Sequence, residues 1–214
     1  MDKTIHNKGL TRKEYILLKP LVKAPWEKFT LAEIKKAANK KSHHYVFEAL
    51  KKFTALGIIR EIKKGNTNIY SLNPENEGSA EHLAFVELLI KEETKDIPYN
   101  NLAKITGIIK SPFYILVVTG SYAEQKQKLT SDIDIAVIIP DSEPKHTYET
   151  AIKQGELMVP EVHGFVFTEK EFIMMLENNE FNYGKEITKK HVIITGGEAY
   201  YKILFKAVKH GYQG

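Results

Sequence analysis

The chain has 214 residues, 43% hydrophobic and 27% charged, and contains no cysteine. This is an ordinary globular composition, long enough for one large domain or two small ones, and it excludes disulfides, thiolate metal sites and a cysteine nucleophile. No apolar run reaches membrane-spanning length and the first residues are too polar for a signal peptide, so no membrane partner and a cytoplasmic location are expected. The net charge of +4 conceals a split. Residues 1–75 carry 16 Lys and Arg against 7 Asp and Glu, a net +9, while residues 76–214 carry 15 against 20, a net −5. Such a division suggests two modules with different partners, the basic one a candidate for nucleic acid.

Tyr15, Leu17, Leu18 and Leu21 form a stripe that predicts a helix over 11–22, with Thr11 as N-cap and Pro20 and Pro25 disturbing its end. Thr30, with Glu33 three residues on, has the spacing of a capping box and opens a second helix reaching Asn39. Ser42 opens a third, over 42–56, closed by Gly57. Its apolar side is Val46, Phe47, Leu50 and Phe53, and its opposite face shows His43, His44, Lys51 and Lys52. Residues 58–62 and 69–72 then read as strands joined by the basic turn Lys63-Lys64-Gly65-Asn66-Thr67-Asn68, a β-hairpin with Gly65-Asn66 at its tip.

Helices followed by a hairpin, over FTLAEIKKAANKKSHHYVFEALKKFTALGIIREIKKGNTNIYSLN, resemble a winged helix-turn-helix, here assigned to residues 1–75. The resemblance implies that the 42–56 helix enters the major groove of double-stranded DNA and that the hairpin is the wing. Lys40, Lys41, His43, His44, Lys51, Lys52, Lys63 and Lys64 would then face the duplex, the lysines mostly at phosphates, which position the protein without reading sequence. Tyr45 and the two histidines are the base-reading candidates. Winged-helix regulators are commonly dimers, so a homodimer is also implied. A module of this shape used for protein contact is the alternative.

The polar stretch Pro74 to Ser79 reads as a boundary, and residues 76–214 form the second module. Helices over 80–93 and 100–109 bridge (76–110) onto a core (111–214). The apolar run Phe113 to Thr119 is a buried strand, broken by Gly120-Ser121, and Ile133 to Pro140 is another. Asp132 and Asp134 stand at the entrance of the second strand. Residues two apart on a strand share a face, and two adjacent carboxylates repel each other unless a cation lies between them. Mg²⁺ is the usual cation where phosphates supply the other ligands. Gly120 lets backbone approach a phosphate closely. Ser121 begins a helix whose free N–H groups attract one, and Ser131 caps the turn that orients Asp132.

Gly120-Ser121 followed by ten residues and Asp132-Ile133-Asp134 resembles the nucleotidyltransferases of the DNA polymerase beta superfamily, in particular the group called minimal nucleotidyltransferases. The resemblance implies an α+β fold with a mixed sheet flanked by helices. It implies an NTP substrate, with ATP expected, bound with Mg²⁺ (Mn²⁺ the alternative) on Asp132 and Asp134. It also implies transfer of an NMP, expected to be AMP, to an acceptor hydroxyl. A third acidic residue is expected on the next strand, 161–168, but the count from the strand's end puts His163 there, with Glu161 two residues earlier on the same face. Either serves as ligand or base, and an imidazole suits Mn²⁺ or Zn²⁺ better than Mg²⁺. The basic residues expected after the Gly-Ser are replaced by Tyr122 to Gln125, leaving Lys126 and Lys128, further along the helix, to meet phosphate. Helices over 145–154, 169–177 and 197–210 and a strand over 191–195 complete the module, the 169–177 helix capped by Thr168 with Glu171.

Three functions follow. One is an active nucleotidyltransferase, whose acceptor in the minimal group can be a protein partner of the toxin–antitoxin type. The second is a DNA-binding regulator whose second module binds nucleotide without turnover. The third is a small-molecule nucleotidyltransferase of the antibiotic-modifying type, for which Glu156, Glu161 and Glu169 would supply an acidic acceptor pocket.

Overall fold

The computed structural model describes residues 9–76 and 78–214. The chain divides into two compact units at the Asn73–Pro74 junction.

In the first unit, α1 (Arg12–Tyr15) runs through a 3₁₀ turn at Ile16–Leu18 into α2 (Lys19–Lys23). Pro20 does not end this run. It occupies the first turn of α2, where a missing N–H costs nothing. A capping box joins Thr11 and Glu14 at the start of α1. The short strand β1 (Phe29–Thr30) leads into α3 (Leu31–Ala37), followed by α4 (His43–Ala55), β2 (Ile59–Lys64) and β3 (Thr67–Leu72). Thr30 and Glu33 form the expected capping box, Ser42 accepts from the Tyr45 amide, and Gly57 takes φ +69 after α4. β2 and β3 are antiparallel with Lys64 opposite Thr67, which leaves Gly65, at φ +59, and Asn66 as a two-residue turn.

β1 pairs with the other side of β3, Phe29 opposite Tyr70. Two residues are too few for a period-2 pattern, so this strand has no signature in the sequence. Leu17, Leu18, Leu21, Ile34, Leu50 and Phe53 are buried in the core of this unit. Ala49, rather than Phe47, completes the inward side of α4, Phe47 being only half-buried.

The second unit contains α5 (Ser79–Glu93), α6 (Tyr99–Thr106), β4 (Ile115–Val118), α7 (Gly120–Ala123), β5 (Ile133–Ile139), α8 (Lys145–Lys153), β6 (Val162–Thr168), α9 (Glu169–Glu177), α10 (Tyr183–Lys189), β7 (Val192–Thr195) and α11 (Gly197–Lys209). The strands lie in the order β6-β5-β4-β7, with β5 and β6 parallel and the other pairs antiparallel. The result is an open mixed sheet flanked by helices. Ile133, Ile135, Val137 and Ile139 of β5 and Val162 and Val166 of β6 join Leu102, Ile105, Tyr148 and Ile152 from α6 and α8 in one buried cluster. Each such side chain contributes roughly 1.5–3 kcal/mol of burial, so β5 and β6 are held rigidly from this side. Their alternate residues, Asp134 on β5 and His163, Phe165 and Phe167 on β6, therefore point to the opposite face, where α9, α11 and α5 pack. No helix of the described residues is long and apolar enough to cross a membrane.

Candidate functional site

The site forms where β4 leaves the sheet and β5 enters it. Buried Thr119 closes β4, and its N–H donates to the carbonyl of Asp134 at 2.8 Å. The chain then turns into α7 through Gly120 at φ +61, and a β-carbon at residue 120 would lie 2.1 Å from Asp134 Oδ2. Glycine is thus required twice over, for its left-handed backbone and for the space that the Asp134 carboxylate occupies. Ser121 is half-buried in the same single helical turn. Burial pushes the Asp134 carboxyl above its ordinary range. His163 pulls it back, and the charges of Asp132 and Glu186 push it further up.

Asp132 lies one residue ahead of β5, and its carboxylate joins the next strand. His163 Nε2 stands 3.7 Å from Asp132 Oδ2 and 3.2 Å from Glu161 Oε2. The parallel register sets His163 directly opposite Asp134. One ligand atom from each of Asp132, Glu161 and His163 lies within 4.8 Å of the others, with the side chains about half-exposed. Asp134 is outside this group, its carboxylate turned to Gly120. The two aspartates, side by side in the sequence pattern, thus divide the site, one facing the glycine turn and the other facing β6. Two carboxylates and an imidazole nitrogen at this spacing, with Asp134 next to them resisting ionisation, are a donor set that a divalent cation fits.

Ser131 accepts a hydrogen bond from the Lys128 amide at 2.8 Å, closing the turn before Asp132, and Tyr122 Oη donates to the Ser131 carbonyl at 3.4 Å. Lys126 and Lys128 are not on a helix. α7 ends at Ala123 and Gln125 takes φ +57. Lys126 pairs with Glu124 at 3.0 Å, and Glu124 also pairs with Lys190. Lys190 first and Lys126 second hold the Glu124 carboxyl below its usual range. The acidic residue after the Gly-Ser is thus tied to two lysines.

The structure adds residues the sequence did not point to. α10 begins at Tyr183, N-capped by Asn182, and packs Tyr183 over β6 against Phe165 and Phe167 at 5.4 and 6.0 Å between ring centroids. Tyr183 Oη is 2.9 Å from Thr119 Oγ1, which ties α10 to the glycine turn. Glu186, three residues on, adds negative charge near Asp134. Seven residues without an apolar stripe hid this helix, and the Asn182 cap was its one sequence signal.

In the first unit, His43, His44, Lys41, Lys51, Lys63 and Lys64 are exposed and Lys40 is half-buried. Lys51 leans on Glu48 at 3.6 Å and over the Phe47 ring. Lys52 is committed inward, donating at 2.6 Å to Glu14, a nearly buried carboxylate. Tyr45 is half-buried with its hydroxyl out of solvent, which leaves the histidines as the exposed candidates for base contact.

No curated protein sequence matches the chain significantly. Among solved structures, a toxin–antitoxin crystallised with AMP-PNP is similar at a TM-score of 0.38 and 13% identity, over 53% of this chain and 87% of that one. TrmBL2, an archaeal chromatin protein described as showing a novel mode of DNA binding, is similar at a TM-score of 0.24 and 17% identity, over 84% and 71%. At these scores the likeness does not extend to function. The family comparison spans the site. Residues 102–195, which run from α6 to β7 and contain the glycine turn and both carboxylate strands, match the family model of the nucleotidyltransferase domain.

Proposed function

We propose that this protein is a metal-dependent nucleotidyltransferase that moves an NMP, AMP in the first instance, from an NTP to an acceptor hydroxyl. The observation that supports this best is the pairing of Gly120 with Asp134 inside the matched segment. A glycine turn opening a helix, backed by a carboxylate and flanked by Asp132, Glu161 and His163, is a cradle for a phosphate chain and its cation. Asp132, Glu161 and His163 would hold Mg²⁺ or Mn²⁺ together with Asp134. Such an ion, when bound, neutralises charge on the triphosphate and activates the acceptor oxygen.

The residues of the chain supply the rest. Gly120 and Ser121 offer backbone amides to phosphate oxygens. Ser131 holds the approach of Asp132, and Tyr183 fixes Thr119 and with it the turn. Of Glu161 and His163, the one that does not ligate the ion takes the acceptor proton. Both are half-exposed and within hydrogen-bond distance of each other, as a general base next to its orienting partner should be. Lys126, bound to Glu124, reaches phosphate only if that pair opens.

The first unit is proposed as a winged helix that binds double-stranded DNA. Lys41, Lys63, Lys64 and the α4 histidines would supply the contacts, and Lys52 would stay with Glu14. A regulator that binds nucleotide without turnover is the second reading, favoured by an imidazole at the third acidic position. The test is incubation of the full chain with labelled ATP, Mg²⁺ or Mn²⁺ and a lysate of its source. Label transfer that disappears in Asp132→Ala/Asp134→Ala is the expected result, and nucleotide binding without transfer under either metal selects the second reading.

A further inference from the structure

β6 turns His163, Phe165 and Phe167 onto one face. The first belongs to the carboxylate–imidazole cluster. The second, in the middle of the strand, is 62% exposed, although a phenylalanine there usually buries its ring. The ring is nevertheless held. Phe167 stacks beside it at 6.3 Å and 28°, and Tyr183 meets it edge-on at 5.4 Å and 69°. Tyr183 is itself anchored to Thr119 under the glycine turn. Phe165 thus has two sides fixed by aromatic neighbours and the remainder open to water, a flat apolar surface with little ordering left to lose. Side chains two apart on a strand stand about 6.6 Å from one another, which is the order of the reach from a 5′-phosphate across a sugar to its base.

Resting on the nucleotidyltransferase reading of the site, we propose that Phe165 is the platform on which the nucleobase of the bound nucleoside triphosphate stacks. Every base has a π-face that covers an apolar ring without any hydrogen-bond register, so stacking binds the base while leaving its edge unread. The edge-on tyrosine and offset phenylalanine are arrangements that aromatic rings prefer, and they set the angle at which a third ring joins. A base docked here keeps its phosphates over the cluster, which begins two residues away on the same strand, and toward the glycine turn two strands across the sheet.

The test is calorimetric titration of the full chain, in the presence of Mn²⁺, with ATP and separately with inorganic tripolyphosphate, which has the phosphates but no base. The wild-type protein is expected to bind both. Phe165→Ala is expected to weaken ATP about tenfold and to leave tripolyphosphate unchanged, while Phe165→Trp keeps ATP binding. Tripolyphosphate therefore controls for the folding of the variant. ATP bound as tightly by Phe165→Ala as by the wild type would overturn the inference and leave the nucleotidyltransferase reading intact. Transfer to the acceptor lost with ATP binding unchanged would assign Phe165 to the acceptor, and equal weakening of both ligands would make its role structural. Either result overturns the inference. If the wild-type protein binds neither ligand, the underlying reading of the site fails as well.

Discussion

Gly120 and Asp134 share one small space. An alanine at 120 would put its β-carbon 2.1 Å from the Asp134 carboxylate and hold a left-handed backbone that costs about 1–2 kcal/mol for an L-residue. Gly120→Ala should therefore lower stability by at least that amount and abolish nucleotide binding, as thermal melts and calorimetry would measure. A variant that binds ATP normally would show that the turn does not cradle phosphate. His163 makes a separate prediction. Imidazole prefers Mn²⁺ to the harder Mg²⁺, so Mn²⁺ should bind the wild-type protein more tightly. His163→Asp should shift the preference toward Mg²⁺ by on the order of tenfold, read as metal affinity with or without turnover. An unchanged ratio would remove His163 from the ligand set. Both residues stood out in the sequence, one as the partner of Ser121 and the other as the departure from an expected acid. The division of labour between the two aspartates did not. Alternation puts them on one face, but only the fold turns Asp132 toward β6 and Asp134 toward Gly120.

At the scale of elements, the helices with both a side-chain cap and an apolar stripe were legible, because Thr11, Thr30, Ser42 and Thr168 each sit where such a stripe begins and accept the expected amide. β1 and α10 were not, the first for want of length and the second for want of a stripe. α10 matters most for the candidate site, since it brings Tyr183 and Glu186 to it. It also leads to a buried polar cluster. His191, just before β7, places Nδ1 2.7 Å from the Ile187 carbonyl and Nε2 3.3 Å from Glu87 on α5, while Tyr201 on α11 donates to the same Glu87 oxygen at 2.6 Å. Burial pushes the His191 pKa down, but Glu87 and the Ile187 carbonyl outweigh it, and the folded value lies above the ordinary 6.5. The folded state therefore favours the protonated ring. The stabilisation is fully present below about pH 6.5 and is lost as the pH rises through the higher folded value. Thermal melts should show stability falling from pH 6 to pH 9, and His191→Gln should flatten that slope. An equal slope in the variant would mean that other groups carry it.

At the scale of the whole chain, the charge split of +9 against −5 and the division at Asn73–Pro74 coincide within two residues. Each unit has its own core and its own net charge. If the basic unit binds DNA, its affinity should fall steeply with salt through counterion release. Lys63→Ala/Lys64→Ala should weaken binding and reduce the salt slope by about 2, whereas Asp132→Ala/Asp134→Ala should change neither. Gel-shift titrations between low and moderate salt would measure this, and binding insensitive to salt would argue against the wing. Lys52 illustrates the limit of reading such a surface from sequence. Its position on α4 suits DNA, yet it neutralises Glu14, and only the packing of α1 against α4 makes that visible.

We propose that the Gly120–Asp134 turn and the Asp132, Glu161 and His163 cluster move a nucleotidyl group. The most direct measurement compares α-labelled with γ-labelled ATP, side by side, in the presence of acceptor and Mn²⁺. Nucleotidyl transfer predicts that the α-label becomes attached to the acceptor, that the γ-label leaves as pyrophosphate, and that Asp132→Ala/Asp134→Ala loses both. Retention of the γ-label on the acceptor, or no release of pyrophosphate by a protein that binds ATP, would contradict it.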